Sequence, residues 1–337
     1  MKEKIIADQK SRLNWIDWAK SIGIYIVVLC HTPQYPTFQN IFLCSFQMPL
    51  FFLISGYLHK NTSSSKKALK KYWSTLIVPY LLFQIIFYPY WYIVQQYDGK
   101  DISTLYSAFI TPLIECLMGI PINKVTWFIV ALLIIKLYAN TILSKKHCLK
   151  LSLISCIIII GIRYLMYVND DTVKVSYAID SMLIFSPFFF LGYFCKKYDI
   201  IHHLLNQKRK QYVLLMSFLI SIILLNTESL HYSSFLLLFY LKGISGSLFI
   251  LSLCMILNSL KANILYTISS GTILIFGLHW MFIGSFNFFL KQLLGIHGEI
   301  HYSSPIAMSI AGIIIWINYY LILLCKKHFP IILGYRK

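Results

Sequence analysis

Apolar segments long enough to cross a bilayer recur along the whole chain, and they restrict the kinds of fold it can adopt. Hydrophobic residues make up 58% of the 337 residues and charged residues only 12%, against about 25% in soluble domains. Backbone groups in lipid must be hydrogen-bonded within their own segment, so these segments indicate transmembrane helices. The composition predicts an all-α, polytopic membrane helical bundle and excludes a soluble enzyme.

The hydrophobic pattern predicts about ten transmembrane helices in a single domain, 1–337. The spanning core covers 12–325, and a basic tail follows at 326–337. Segment 103–120 is only moderately apolar, which predicts a re-entrant or interfacial helix. Two roles are open for this segment: a lid over an outward-facing site, or a purely structural element. The predicted spans are 14–32, 41–58, 73–94, 125–143, 151–168, 178–194, 211–226, 235–257, 264–290 and 304–325.

The net charge of +18 indicates membrane orientation and does not indicate nucleic-acid binding. With the N-terminus inside, most of the 30 Lys and Arg residues fall in inward-facing segments, as the positive-inside rule requires. Both termini are therefore predicted to be cytoplasmic. The eight cysteines are scattered without a metal or redox motif, so no metal or prosthetic group is predicted.

The first span carries the ionisable residues Asp17, Lys20 and His31. A charged side chain in hydrocarbon costs about 2.5–3.5 kcal/mol on insertion scales, so it is usually there for function. Lys20 and His31 are eleven residues apart, which places them on one helix face about 16 Å apart along the axis. Asp17 lies one turn from Lys20. In the alternative interpretation, Asp17 and Lys20 form a structural ion pair and His31 is an interfacial histidine without a catalytic role. The polar face that the three residues share favours a functional role.

Further polar residues lie in or beside other spans. Ser55 and Gly56 follow Pro49, which we place near the middle of the second predicted span, where proline kinks a helix and glycine allows close approach. The ionisable residues of later spans are Lys136, Arg163, Asp180, Lys242 and His279. Arg163, Asp180 and Lys242 are candidate mutual partners that the sequence alone does not pair, and His279 lies deepest. The candidates for substrate contact or a supporting role are Arg12, Ser55, Arg163, Asp180 and His279.

The first inner loop carries a cluster of lysines at Lys66, Lys67, Lys70 and Lys71. Such a cluster attracts a polyanion such as a phosphorylated cofactor. Anionic lipid headgroups and membrane topology explain it equally well from residue types alone.

An ordered set of sequence blocks resembles the acyltransferase 3 family of integral-membrane acyltransferases, which includes polysaccharide O-acetyltransferases. The blocks begin with Lys20 and His31 separated by ten residues. They continue through FQMPLFFLISGYL (46–58), a basic loop running into LIVPY (76–80), TWFIVALL (126–133), FSPFFFLGY (185–193) and SSGTILIFGLH (269–279). Where family members often carry two arginines three apart, this chain has Lys67 and Lys70, which keep the charge but lose the bidentate fork.

The resemblance implies transfer of an acyl group, usually acetyl from acetyl-CoA, to a sugar hydroxyl of a surface polysaccharide or its lipid-linked precursor. The expected partners are therefore the lipid bilayer, an acyl-CoA and a carbohydrate acceptor, and the expected location is multi-pass in the inner or plasma membrane. His31 is the expected general base or acyl carrier, supported by Asp17 and Lys20. The lysine loop is expected to hold the CoA phosphates.

A transporter or flippase is the alternative function. In that case Asp17, Lys20, Arg163, Asp180 and His279 would line a substrate or proton path. Transporters of this kind are often built from internal repeats, and the sequence shows none. Without the family blocks the residues favour transport; with them they favour an enzyme.

Overall fold

The computed structural model describes residues 13–35, 38–62, 64–168, 177–205, 207–227, 235–296 and 298–334. Arg12, a candidate site residue, lies outside them. The described chain is all-helical, with 84% helix and no strand among the described residues. The predicted all-α class is therefore confirmed, and single loop residues, Gln34 and Tyr302, form an isolated parallel bridge.

The helices are labelled in chain order. They are α1 (Asn14–His31), α2 (Phe38–Cys44), α3 (Gln47–Tyr57), α4 (Ser65–Tyr72), α5 (Val78–Tyr97), α6 (Thr111–Leu117), α7 (Trp127–Leu143), α8 (Cys148–Val168), α9 (Tyr177–Lys197), α10 (Ile200–Leu205), α11 (Lys208–Thr227), α12 (Phe235–Ile256), α13 (Asn263–Ser270), α14 (Thr272–Leu294) and α15 (Ser304–His328). A π-helical turn, Trp73–Ile77, joins α4 to α5, and another, Tyr106–Ile110, precedes α6.

Within the described residues, seven helical segments are long and apolar enough to cross a membrane. They are Lys66–Tyr97, Lys124–Leu143, Cys148–Met166, Ala178–Lys197, Leu236–Ser259, Thr272–Leu294 and Ser304–His328. These segments indicate a multi-pass membrane protein. The count of ten spans is not confirmed, and the cytoplasmic placement of both termini stays a prediction.

The second predicted span, 41–58, is not one continuous helix. It divides at Ser45 and Phe46 into α2 and α3, and Pro49 becomes the third residue of α3. The expectation of a proline kink in mid-span is therefore wrong. Proline is tolerated in a first turn, because the amide it lacks has no helical acceptor there.

Segment 103–120 forms a helix too short to cross a bilayer. The helical stretch Tyr106–Leu117 is about 18 Å long at 1.5 Å per residue, against about 30 Å of hydrocarbon. It packs on α5, where the Tyr80 hydroxyl donates to the Cys116 carbonyl at 2.9 Å and the Tyr88 hydroxyl donates to the Ala108 carbonyl at 2.9 Å. The expectation that this segment does not span agrees with its length; the lid role stays a prediction.

Two glycines allow α3 and α9 to cross at backbone contact. A Cβ atom on Gly56 would lie 1.9 Å from the Phe189 carbonyl oxygen, and one on Gly192 would lie 1.9 Å from the Leu53 carbonyl oxygen. Real Cβ atoms never approach so closely. Both glycines lie in the blocks that carry the family resemblance, so these blocks encode the crossing of α3 and α9.

Aromatic rings fill the core around this crossing. Phe52 of α3 stacks on Phe185 of α9 with ring centroids 4.7 Å apart. Phe128 of α7 stacks on Phe276 of α14 at 4.8 Å. Such ring pairs add about 0.5–1.5 kcal/mol beyond their buried area. This core fixes α14 against α3 and α7, and α14 carries one of the candidate site residues.

Candidate active site

The N-terminal half of α1 is joined to the segment that leads into α13 and to the first turn of α13. The Trp18 indole donates to the Leu260 carbonyl at 3.0 Å, and the Ser21 hydroxyl donates to the Leu265 carbonyl at 3.1 Å. Asn14 also donates to the Leu260 carbonyl, at 3.0 Å. Because α13 and α14 continue away from this contact, polar residues on α1 meet polar residues on α13 and α14 at two successive levels.

The first level joins Asp17 and Lys20 to Ser269. Asp17 is buried, and the Ser269 hydroxyl donates to its Oδ1 atom at 2.5 Å. Lys20 Nζ donates to the Ser269 carbonyl. One residue of α13 therefore accepts from the lysine and donates to the carboxylate, which fixes two of the three ionisable groups predicted on α1.

A helix interruption at Gly271 contributes to this arrangement. The predicted span 264–290 divides here into α13 and α14. A Cβ atom on Gly271 would lie 2.4 Å from the Ile322 side chain, so glycine lets α15 pack against the break. Carbonyls at the end of a helix lack helical donors; that of Ser269 accepts from Lys20 and, at 3.3 Å, from the Thr272 hydroxyl.

The second level joins His31 to His279. Their rings meet edge to face with centroids 4.9 Å apart. The edge of Trp280 also meets the His31 ring, at 5.6 Å between centroids. His279 is completely buried, His31 is partly buried and Trp280 is 38% exposed. The structure therefore brings together two histidines that the sequence could only place on separate spans.

Hydrogen bonds assign the protons of both imidazoles. His31 Nδ1 lies 2.8 Å from the Val27 carbonyl oxygen, and His279 Nδ1 lies 2.9 Å from the Ile275 carbonyl oxygen. A carbonyl only accepts, so the geometry places a proton on each Nδ1 and leaves the lone pair of each neutral ring on Nε2. His279 Nε2 is buried without a hydrogen-bond partner among the described residues. Two basic nitrogens thus belong to adjacent rings.

A buried amide network positions α14 close to His279. The Asn123 side chain donates to the Gly277 carbonyl at 2.7 Å. Gln84 of α5 holds Asn123 in place. Its Oε1 accepts from the backbone amide of Asn123 at 3.0 Å, and its Nε2 donates to the Thr126 hydroxyl at 2.8 Å. Sequence reasoning missed this network, since an amide or hydroxyl in an apolar stretch gives no sign of its partner.

Loop residues organise the end of the site beyond His31. The Tyr302 amide donates to the Pro33 carbonyl at 3.0 Å, and the Tyr302 hydroxyl donates to Asn287 of α14 at 2.6 Å. The rings of Tyr35 and His301 lie 5.2 Å apart. Tyr35 is 61% exposed, so the end of the bundle near His31 presents an exposed aromatic side chain.

The other predicted site residues lie elsewhere. Arg163 and Asp180 form an ion pair, with 2.7 Å between Nε and Oδ1, which links α8 to α9. This confirms their suggested pairing and does not bring them to the histidines. Ser55 is half-buried on α3, whose last residue, Tyr57, packs on Trp15 at 5.1 Å.

The lysine loop forms α4 and divides into two groups. Ser64 caps the helix by accepting from the Lys67 amide at 3.3 Å. Lys66, Lys67 and Lys70 are exposed, whereas Lys71 is partly buried. The predicted cofactor-binding lysines therefore do not share one face. No group of three or more His, Cys, Asp or Glu residues that could hold a metal ion occurs in the part of the chain that the structure describes.

The fold and this site define a multi-pass helical membrane protein with polar and ionisable residues paired between its first helix and α13–α14. A family model described as an acyltransferase domain, that of the acyltransferase 3 family, matches residues 13–325. The chain belongs to this family, which confirms the resemblance and supports a membrane acyltransferase. No curated protein and no solved structure gives a significant match.

Proposed function

We propose that the protein transfers acetyl from acetyl-CoA to a sugar hydroxyl of a cell-surface polysaccharide or its lipid-linked precursor. The reaction would take place in the inner or plasma membrane. Membership of the acyltransferase 3 family supports acyl transfer. The observation that carries the chemistry is the His31–His279 pair, in which a partly buried imidazole with a basic Nε2 lies beside a second one.

In direct transfer, His31 Nε2 accepts the proton of the acceptor hydroxyl. The hydroxyl oxygen attacks the thioester carbonyl, the C–S bond breaks, and the imidazolium returns its proton to the departing CoA sulfur. In the covalent route, Nε2 attacks the thioester carbonyl and expels the CoA thiolate. The acceptor hydroxyl then attacks the acyl-imidazole, the acyl–nitrogen bond breaks, and the hydroxyl proton passes to the thiolate. The Nδ1 hydrogen bond to the Val27 carbonyl fixes the ring in either route.

The surroundings of His31 suit a sugar acceptor. Trp280 meets the His31 ring and is partly exposed, and Tyr35 and His301 lie on the same side. Rings with one apolar face and one polar edge bind ligands that present both C–H and hydroxyl groups. Asp17 and Lys20 would fix the opposite part of α1 and stabilise charge during transfer. Among the residues that the structure describes, no specific contact favours the transport alternative.

The test is transfer of label from radiolabelled acetyl-CoA into cell-envelope glycan. Membranes with the wild-type chain would be compared with His31→Ala membranes at matched protein levels. His147→Ala is the control, because His147 is an exposed loop histidine. We expect label in the glycan with wild type and with His147→Ala, and no label with His31→Ala. Label that persists in His31→Ala would move the chemistry away from this residue, and no label with any chain would favour transport.

A further inference from the structure

An aromatic pair, Tyr35 and His301, lies on the loops beyond His31 and outside the packed core. The two rings are 5.2 Å apart between centroids and are tilted by 33°. Both side chains are exposed, so packing in the core does not explain why they meet. Rings that lie together at the surface are available to a ligand that passes over them.

The loop that carries Tyr35 is fixed by hydrogen bonds although the ring itself is exposed. Gln34 and Tyr302 form the isolated parallel bridge, and the Tyr302 amide donates to the Pro33 carbonyl at 3.0 Å. The Gln34 side chain donates to the Leu29 carbonyl of α1 at 2.8 Å. A group that is ordered before its ligand arrives lowers the entropy cost of binding. An exposed ring on a fixed backbone therefore suits a binding role.

The loop that carries His301 is anchored on α14, the helix of His279. Tyr302 is buried, and its hydroxyl donates to Asn287 at 2.6 Å. Asn287 follows His279 by eight residues, which is about 12 Å along the helix axis. The aromatic pair therefore lies about two helical turns from the histidine pair, at the level of the residue that follows the reacting one in a chain-like ligand.

The chemistry of the pair suits a ligand with both C–H and hydroxyl groups. His301 Nε2 lies 3.5 Å from Oε2 of Glu299, whose side chain is exposed. Exposed ion pairs contribute little to stability. Carboxylate oxygens accept hydrogen bonds from hydroxyls, and an imidazole nitrogen donates or accepts them. The apolar faces of Tyr35 and His301 can pack on the C–H groups of a sugar ring.

We propose that Tyr35, His301 and Glu299 form a subsite for the sugar that neighbours the acylated one. The identity of the ligand as the acceptor glycan rests on the proposed function. The reacting sugar lies at His31 and Trp280, whose rings meet edge to face, and the subsite binds the next sugar of the same chain. The acceptor is then an oligosaccharide or a polysaccharide, and a monosaccharide lacks the part that the subsite binds.

The test compares acceptors of different length in transfer assays with wild-type and Tyr35→Ala membranes. The acceptors are envelope glycan from which alkali has removed the acyl esters, and the monosaccharides that acid hydrolysis releases from it. Tyr35→Ala is expected to raise the KM for the glycan by about tenfold, with a much smaller effect on kcat. The preference for glycan over monosaccharides, measured as the ratio of their kcat/KM values, should fall by a similar factor.

Three further variants separate sugar binding from other effects. Tyr35→Trp keeps an aromatic face and should recover most of the glycan affinity. Glu299→Gln should raise the KM for the glycan without changing the melting temperature. Tyr106→Ala is the matched control, because Tyr106 is 63% exposed, against 61% for Tyr35, and lies on another segment. Aromatic residues also anchor proteins at membrane interfaces; equal changes of KM in Tyr35→Ala and Tyr106→Ala would assign that role and overturn the subsite.

A binding measurement distinguishes the subsite from the reaction. Fluorescently labelled, alkali-treated glycan is titrated into the purified protein in nanodiscs, with His31→Ala as the background that does not react. Adding Tyr35→Ala to this background should weaken binding by about tenfold. Binding that depends on Tyr35, without acyl transfer by the wild type, would leave the subsite standing and contradict the proposed function. Acyl transfer with a KM that Tyr35→Ala does not change would support the function and overturn the subsite.

Discussion

His31 and His279 meet edge to face, with ring centroids 4.9 Å apart, although most of the chain separates them. Each ring donates from Nδ1 to a carbonyl of its own helix. Both rings therefore turn their basic Nε2 atoms away from their helices. We infer that His279 takes part in a reaction at His31 as the neighbour that orients its imidazole.

The first prediction concerns His279. His279→Gln should lower acyl transfer by about 10²-fold or more, the lower range for a general acid–base group, with little change in donor binding. The double variant with His31→Ala should be no slower than His31→Ala alone, because residues that act as a unit are not additive. Single-turnover transfer assays on matched membranes measure this. Additive losses would show that the two histidines act independently.

The second prediction concerns the hydrogen bond from Ser269 to Asp17. Ser269→Ala should destabilise the protein by about 1.5–3 kcal/mol, because it removes a buried hydrogen bond to a carboxylate. Asp17→Asn should show a coupling with Ser269→Ala in a double-mutant cycle. Reversible unfolding in mixed micelles is the measurement. Ser270→Ala is the control, since the Ser270 hydroxyl donates to Thr267 of its own helix; a zero coupling would contradict the assigned contact.

The third prediction concerns the helix crossing at Gly56. Gly56→Ala forces a Cβ atom to within 1.9 Å of the Phe189 carbonyl oxygen, so α3 and α9 must separate and stability should fall by at least about 1–3 kcal/mol. Gly312→Ala, on α15, has nothing within 4 Å of the new Cβ and should be neutral or slightly stabilising. Thermal unfolding followed by tryptophan fluorescence compares the two. Equal melting temperatures would rule out the crossing.

The fourth prediction concerns the pH dependence that His59 produces. Burial, followed by the charges of Lys136 and Lys71, lowers the pKa of His59 to about 4. The unfolded chain, with a histidine pKa near 6.5, then binds the proton more readily than the folded chain does. Stability should therefore fall as pH decreases from about 6.5 to about 4.

His59→Gln should reduce this loss of stability over the same pH range. The measurement is the melting temperature of both proteins between pH 7.5 and pH 4.5 without added phosphate. A wild-type profile parallel to that of His59→Gln would show that His59 does not titrate in this way.

The helical class and the principal candidates on α1 follow from the sequence. Apolar length and composition require helices, because lipid offers no partner for backbone polar groups. The eleven-residue spacing places Lys20 and His31 on one face whatever else the chain does. The pairing of Arg163 with Asp180 was one of several combinations that the sequence allowed. The break of span 41–58 at Ser45 and Phe46 was missed, since hydropathy over a window does not detect a two-residue turn.

What only the tertiary structure decided is which polar groups meet. Asp17 and Lys20 meet Ser269, His31 meets His279, and Lys136 meets Lys71 at Tyr72. A one-dimensional pattern specifies which face of a helix is apolar. It does not specify which helix lies against that face, because lipid and protein interiors are equally apolar. Close packing at glycines such as Gly56 and Gly192 selects the neighbours, and that selection decides which ionisable groups share a site.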